Sequence, residues 1–212
     1  MNAGLSVRGM RAAFGKTTVL HGVSLEVTPG ETLVLFGASC VGKTVLLRAV
    51  AGFEQVTEGV ITLAGRRIDG LPPARRNVAM AFEGYALARD ADLHLLDEPM
   101  GQLEPQLRAI LRGRVKALTK ARGLTSVLVT HDQTEANAMA DRIAVMEGGV
   151  LQQYGAAAEL RDRPANLFVA TFPGRAADER AARHDRRRRC AAPWRGWPAR
   201  RGARPKPAAA RH

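Results

Sequence analysis

The sequence predicts an α/β fold, with a mostly parallel sheet, a small antiparallel β subdomain ahead of it and a disordered basic tail behind it. Three observations predict this. The apolar run Thr32-Leu33-Val34-Leu35-Phe36 feeds a glycine-bracketed loop and then a helical run from Lys43 to Gly52, the strand–loop–helix order of a phosphate-binding loop. Two further apolar runs, Leu93–Leu96 and Thr125–Thr130, end in Asp97-Glu98 and His131-Asp132, as buried strands do when their ends carry chemistry. Leu5–Met10 and, in part, Val19–Val27 alternate between apolar and polar instead, which suits a half-buried antiparallel sheet.

Taken in order, Leu5–Met10 alternates, Val19–Val27 alternates in part, and Pro29-Gly30 turns the chain into the first buried strand. Phe14 precedes Gly15 in what reads as a loop; its ring could stack on an adenine or fill a hairpin core, and the residues alone leave both open. Gly37-Ala38-Ser39-Cys40-Val41-Gly42-Lys43-Thr44, with Val45 behind it, is a Walker A pattern, and it makes the core that of a P-loop NTPase. Its glycines let backbone N–H groups wrap a polyphosphate at a helix N-terminus. Lys43 can reach the β- and γ-phosphates, and the Thr44 hydroxyl can ligate Mg²⁺.

Gly59–Leu63 and Arg66–Ile68 read as short strands around Ala64-Gly65, and Asn77–Phe82 as another strand after Pro72-Pro73. Leu95-Leu96-Asp97-Glu98 is a Walker B pattern: Asp97 would hold Mg²⁺ and Glu98 would act as general base on the attacking water. Pro105–Arg122 has helical spacing, with Leu107, Ile110, Leu111, Val115 and Leu118 on one side. His131, at a strand's C-terminal edge, could hydrogen-bond a γ-phosphate, whereas His21 and His94 read as structural or surface residues. Asp132 caps a helix through Ala140, Arg142–Met146 and Val150–Gln153 pair around Gly148-Gly149, and a short helix, Ala156–Arg161, and the segment Asn166–Phe172 follow.

The net charge of +12 is unevenly placed: residues 174–212 hold 12 Arg and 1 Lys against 3 acids, which leaves only +2 for residues 1–173. No 18 consecutive apolar residues occur, so no membrane span is expected. The N-terminal residues lack a signal peptide's apolar region, and two cysteines as far apart as Cys40 and Cys190 fit a reducing, cytoplasmic setting.

On these motifs, together with Val129-Thr130-His131-Asp132-Gln133-Thr134-Glu135-Ala136 and Ala140-Asp141-Arg142-Ile143-Ala144-Val145-Met146, the chain resembles the ATP-binding subunits of ABC transporters, in the importer group serving sugars, polyamines or iron. The resemblance covers about residues 5–173 and implies ATP and Mg²⁺ as cofactors. It puts Phe14 in the adenine-stacking place and His131 in the switch-histidine place. It also implies a second ATP-binding subunit closed head-to-tail over two ATP molecules, transmembrane permease subunits as partners, and a place on the inner face of the membrane.

Several residues depart from the family pattern. The family places a helical subdomain ending in Leu-Ser-Gly-Gly-Gln ahead of Walker B, but here Tyr85-Ala86-Leu87 runs directly into Ala88-Arg89-Asp90, as if that subdomain were deleted near 87/88. Glu83 takes the Q-loop glutamine position, where it could still ligate Mg²⁺; Glu104 takes the D-loop aspartate position, and Cys40 stands where glycine is usual. The expected organisation is a nucleotide-binding domain over 1–173 and a basic tail over 174–212 in place of a regulatory domain. Of the tail's 39 residues, 30 are Arg, Ala, Pro or Gly, too few apolar groups to order a segment. Its Arg clusters with Trp194 and Trp197 could bind nucleic acid or anionic membrane, or the tail could be out-of-frame translation. Three functions follow: a shortened importer subunit with impaired hydrolysis, a nucleotide-binding protein whose tail grips nucleic acid, or a degraded gene product.

Overall fold

The computed structural model describes residues 4–14, 17–82 and 90–171, apart from the side chains of Phe14 and Phe82. Glu83, the 87/88 junction and the tail from Gly174 lie outside the described residues, as do the side-chain contacts of Phe14.

Strands β1 (Leu5–Phe14) and β2 (Thr17–Val27) form an antiparallel hairpin, and β4 (Val56–Leu63) and β5 (Arg66–Arg67) complete a four-stranded sheet ordered β2-β1-β4-β5. Phe14 thus ends a strand, opposite Thr17, instead of lying in a loop. Both ladders of β1 slip register, and in β2 His21 and Gly22 are exposed in succession, which breaks the alternation seen from Val23 onward. That irregularity is why the sequence pattern of β2 is only partial.

The second sheet has six strands in the order β10-β9-β3-β8-β7-β6: β3 is Thr32–Phe36, β6 Val78–Phe82, β7 Leu93–Asp97, β8 Ser126–Thr130, β9 Arg142–Glu147 and β10 Val150–Gly155. All neighbours are parallel except the β9–β10 hairpin. The central strands are apolar throughout because both faces are covered. Leu33, Leu35, Leu95, Val127 and Val129 face helix α1 (Lys43–Ala51) and the antiparallel sheet, while Val34, Leu96 and Leu128 face the opposite core, with Val115, Ala136, Met139, Leu160 and Val169. Helices α2 (Pro105–Arg122), α3 (Gln133–Met139), α4 (Ala157–Asp162) and α5 (Leu167–Thr171) supply that second layer.

Helix α2 has the bounds its Pro105 and Gly123 imply, but its buried side differs from the expected one. Val115 and Thr119 are buried, whereas Leu107 and Ile110 are 49% and 55% exposed. Apolar residues cover more of this helix than one stripe, and contact with the sheet selects the Val115–Thr119 side.

Arg76 secures the far end of α1. The residue is 5% exposed, and its guanidinium donates to the carbonyls of Ala49 (2.7 Å), Val50 (2.9 Å), Leu71 (2.7 Å) and Asp69 (2.9 Å). A Cβ on Gly52, which ends the helix at φ 90°, would lie 2.6 Å from the Arg76 Nε. A second tie joins the two sheets: Arg142 pairs with Glu31, lies 4.5 Å over the Tyr154 ring and donates to the Glu26 carbonyl, which also accepts from the Tyr154 hydroxyl.

Candidate functional site

The loop after β3, the acids after β7 and the histidine after β8 all emerge at the C-terminal ends of parallel strands, where open α/β sheets bind ligands. Gly42 caps α1 in the left-handed region at φ 96°, and a Cβ on Gly37 would fall 2.4 Å from the Met146 carbonyl, so the loop needs glycine at both places. Cys40 adopts φ 65° without being glycine, a left-handed strain of about 1–2 kcal/mol. Ser39 and Cys40 are exposed at the loop's crest, Ala38 and Val41 are half-buried, and Val45 lies in the first turn of the helix.

Lys43 is buried, and its Nζ donates to the carbonyls of Gly37 (2.8 Å) and Ala38 (2.7 Å) within the loop. Burial pushes its pKa down, opposed by the negative charges of Glu98 and Asp97. The exposed Thr44 hydroxyl donates to Asp97 Oδ1 at 3.1 Å, which brings the Walker A and Walker B residues into contact. Burial raises the Asp97 pKa, while the Thr44 hydrogen bond and the Lys43 charge pull it back in part.

Glu98 stands one residue past β7 at φ 44°, its N–H held by the Val129 carbonyl. His131 Nδ1 lies 3.0 Å from Glu98 Oε1, so the two candidate reacting side chains touch. The histidine is braced from behind. Asp132 N–H donates to the Thr130 hydroxyl, which donates to Glu135 Oε2 at 2.7 Å, and Asp132 Oδ1 caps α3 by accepting from Glu135 N–H. Sequence reasoning missed the Thr130–Glu135 bond: Asp132 followed three residues later by Glu135 suggests a capping box, which would send the Glu135 carboxylate to the Asp132 N–H, but Thr130 takes both partners instead. It missed Arg108 as well, which donates to the carbonyls of Gly101 and Leu103 and shapes the turn behind Glu98. Glu104 is exposed at the N-cap of α2, outside these contacts.

The residues present fit a magnesium–nucleotide. Glycines at 37 and 42 let the loop pack closely on Met146, Val19 and Leu20, and the Lys43 ammonium stands within the turn of the loop, against the Gly37 and Ala38 carbonyls. The Thr44 hydroxyl and Asp97 carboxylate form a hard-oxygen pair, the protein share that Mg²⁺ takes when phosphate and water complete its shell.

Fold and site together define a P-loop nucleotide-binding domain. The ABC transporter family profile matches residues 20–143, more than half of the chain, and the chain belongs to that family. Members of this family bind ATP with Mg²⁺. Among curated relatives, a putative ATP-binding protein of Brucella abortus is 36% identical over 232 aligned positions, which take in 80% of this chain and 66% of the relative. The sn-glycerol-3-phosphate import ATP-binding protein of Cereibacter sphaeroides is 34% identical over 234 positions, 81% of this chain and 67% of its own length. The chain thus spans about two thirds of the curated relatives it matches. A nucleotide-free ATP-binding cassette from an ABC transporter superposes with a TM-score of 0.70 at 16% identity, covering 83% of this chain and all of its own, and shows the same fold.

Proposed function

We propose that this chain is the ATP-binding subunit of an ABC importer in a shortened form, which binds Mg-ATP and hydrolyses it close to the background rate. The observation that carries the binding half is the 3.1 Å contact of Thr44 with Asp97 beside a lysine-bearing glycine loop. Relatives named for sn-glycerol-3-phosphate import support the importer assignment. The shortening is supported by the alignment lengths: 80% of 212 residues is about 170, so about 60 of the 232 aligned positions have no residue in this chain.

In this reading Gly37, Ala38, Ser39, Cys40, Val41 and Gly42 offer backbone donors to the phosphates, and Lys43 turns from its loop carbonyls toward the β- and γ-phosphates. Thr44 and Asp97 hold the magnesium, with Glu83 as a further oxygen ligand, and Phe14 stacks on the adenine. Magnesium, when bound, neutralises phosphate charge. Glu98 takes the proton of the attacking water at its carboxylate, and His131 holds that carboxylate in place and contacts the γ-phosphate. No Leu-Ser-Gly-Gly-Gln occurs in the sequence to stabilise charge on a partner's nucleotide, a contribution of several kcal/mol to such reactions.

Permease subunits and a second ATP-binding subunit are the partners this reading assigns, at the inner face of the membrane. No helix among the described residues is long and apolar enough to cross a bilayer. The test is calorimetric titration of Mg-ATP into the full chain and its Lys43→Ala variant. Binding by the wild type alone, with turnover at background, is the expected result. Equal binding by both refutes the site, and rapid turnover refutes the impaired hydrolysis.

A further inference from the structure

We propose that Gly149 is a positioning residue for the phosphate loop, its peptide groups tying the loop to strand β2. The inference rests on the nucleotide-binding reading above and extends it to a hairpin turn that no motif covers. Gly149 N–H donates to the Val41 carbonyl at 3.1 Å, and the Gly149 carbonyl accepts from His21 N–H at 3.0 Å. One residue of the β9–β10 turn therefore bridges the phosphate loop at Val41 and the antiparallel sheet at His21.

The bridge admits no side chain. Gly149 has φ 76°, and a Cβ there would lie 1.9 Å from the Val19 carbonyl oxygen and 2.9 Å from the His21 ring. Relief would require separating β2 from the turn, because the nearest obstacle is backbone. The same stretch of β2 presses on the loop directly: a Cβ on Gly42 would meet Leu20 Cδ2 at 2.8 Å and Val19 Cγ1 at 3.4 Å.

The tie has a directional consequence. In a trans peptide the carbonyl and the following N–H point opposite ways. Holding the Val41 carbonyl against the turn therefore aims the Gly42 N–H away from it, as one of the backbone donors a phosphate loop needs. Gly149 acts on the nucleotide through Val41, without touching it.

Gly65 supplies a matched control. It also has φ 76° in a hairpin turn, but a Cβ there would meet nothing within 4 Å, so Gly65→Ala carries the same backbone strain without the collision. In a full chain carrying Cys190→Ser, Cys40 is the sole thiol and sits beside Val41 as a reporter of loop shape. Two quantities are read at a temperature where circular dichroism shows each variant folded: the rate of Cys40 with an aromatic disulfide reagent, and the affinity for Mg-ATP.

Gly149→Ala is expected to change the thiol rate at least about threefold and weaken Mg-ATP more than about tenfold, with Gly65→Ala within about twofold of the parent on both. Thiol rates and affinities for Gly149→Ala that match those of Gly65→Ala overturn the proposal. If Gly149→Ala does not fold, hydrogen exchange of the wild-type Gly149 amide decides. Strong protection that rises further with Mg-ATP supports the tie, and exchange at an unstructured rate overturns it. A wild type that binds no Mg-ATP would refute the nucleotide reading separately, because the thiol-rate contrast is measured without nucleotide.

Discussion

Replacing Arg76 with alanine removes four hydrogen bonds at once and takes a donor from the carbonyls of Ala49, Val50, Leu71 and Asp69, of which Ala49 keeps the Gly52 N–H. A bond to a charged donor is worth about 1.5–3 kcal/mol, but the four share one side chain and do not add. Burial also opposes the guanidinium charge and lowers its pKa, so part of the gross gain is already offset. Four bonds from one charged donor, counted as less than additive and discounted for that offset, put the net cost of Arg76→Ala at about 3–5 kcal/mol, a large share of the roughly 5–15 kcal/mol that a domain holds. At about 2–4 °C per kcal/mol for a chain of this size, the melting temperature should fall by about 6–20 °C. Arg76→Lys, a single point donor on a flexible stem, should recover less than half of the loss. Thermal denaturation of the full chain, followed by circular dichroism, measures both. A drop below about 3 °C for Arg76→Ala would refute the claim that this side chain holds the C-terminal end of α1.

Cys40→Gly should raise stability by up to about 1 kcal/mol, because relief of a left-handed Cβ outweighs the extra freedom of glycine in the unfolded chain; chemical denaturation reads it. Burial raises the Glu31 pKa, but hydrogen bonds from Arg142 and Thr28 outweigh it and hold the carboxyl below its ordinary value. Its stabilisation is therefore complete above the unfolded pKa of 4.5 and is lost as pH falls through the lower folded value, so Glu31→Gln should flatten the acid limb of a stability–pH curve. Asp97 shifts the other way, its carboxyl holding a proton at higher pH than usual, so Mg-ATP affinity should begin to fall on acidification above the ordinary carboxylate range. Asp97→Asn should remove that pH dependence and much of the magnesium requirement, read by titrating nucleotide with and without the metal.

The parallel sheet was legible because Thr32–Phe36, Leu93–Leu96 and Thr125–Thr130 are short apolar runs that end in polar residues, and strands covered on both faces leave that trace. Walker A and Walker B were legible for a related reason: their chemistry fixes residue types at fixed local spacing. The helix at Pro105–Arg122 could be bounded but not oriented, since Leu107 and Ile110 look as apolar as Leu111 and Val115 until a neighbouring layer selects a side. Arg76 and Arg108 left no signal, and Gly149 was legible only as part of a turn. Each acts on backbone carbonyls or amides brought near by the fold, and a carbonyl has no letter in a sequence. A glycine after Phe14 suggests a loop from sequence, yet the ladder with β2 runs to that residue.

The order of the central sheet carries a metrical consequence. Strand β8 is interposed between β3 and β7, so the strands that carry the glycine loop and the acidic pair stand two ladder steps apart, about 9–10 Å. That gauge is dictated by main-chain pairing and is indifferent to which side chains occupy the strands. Drift at the rim, such as a cysteine at residue 40, can strain the loop without altering the spacing of the strands beneath it.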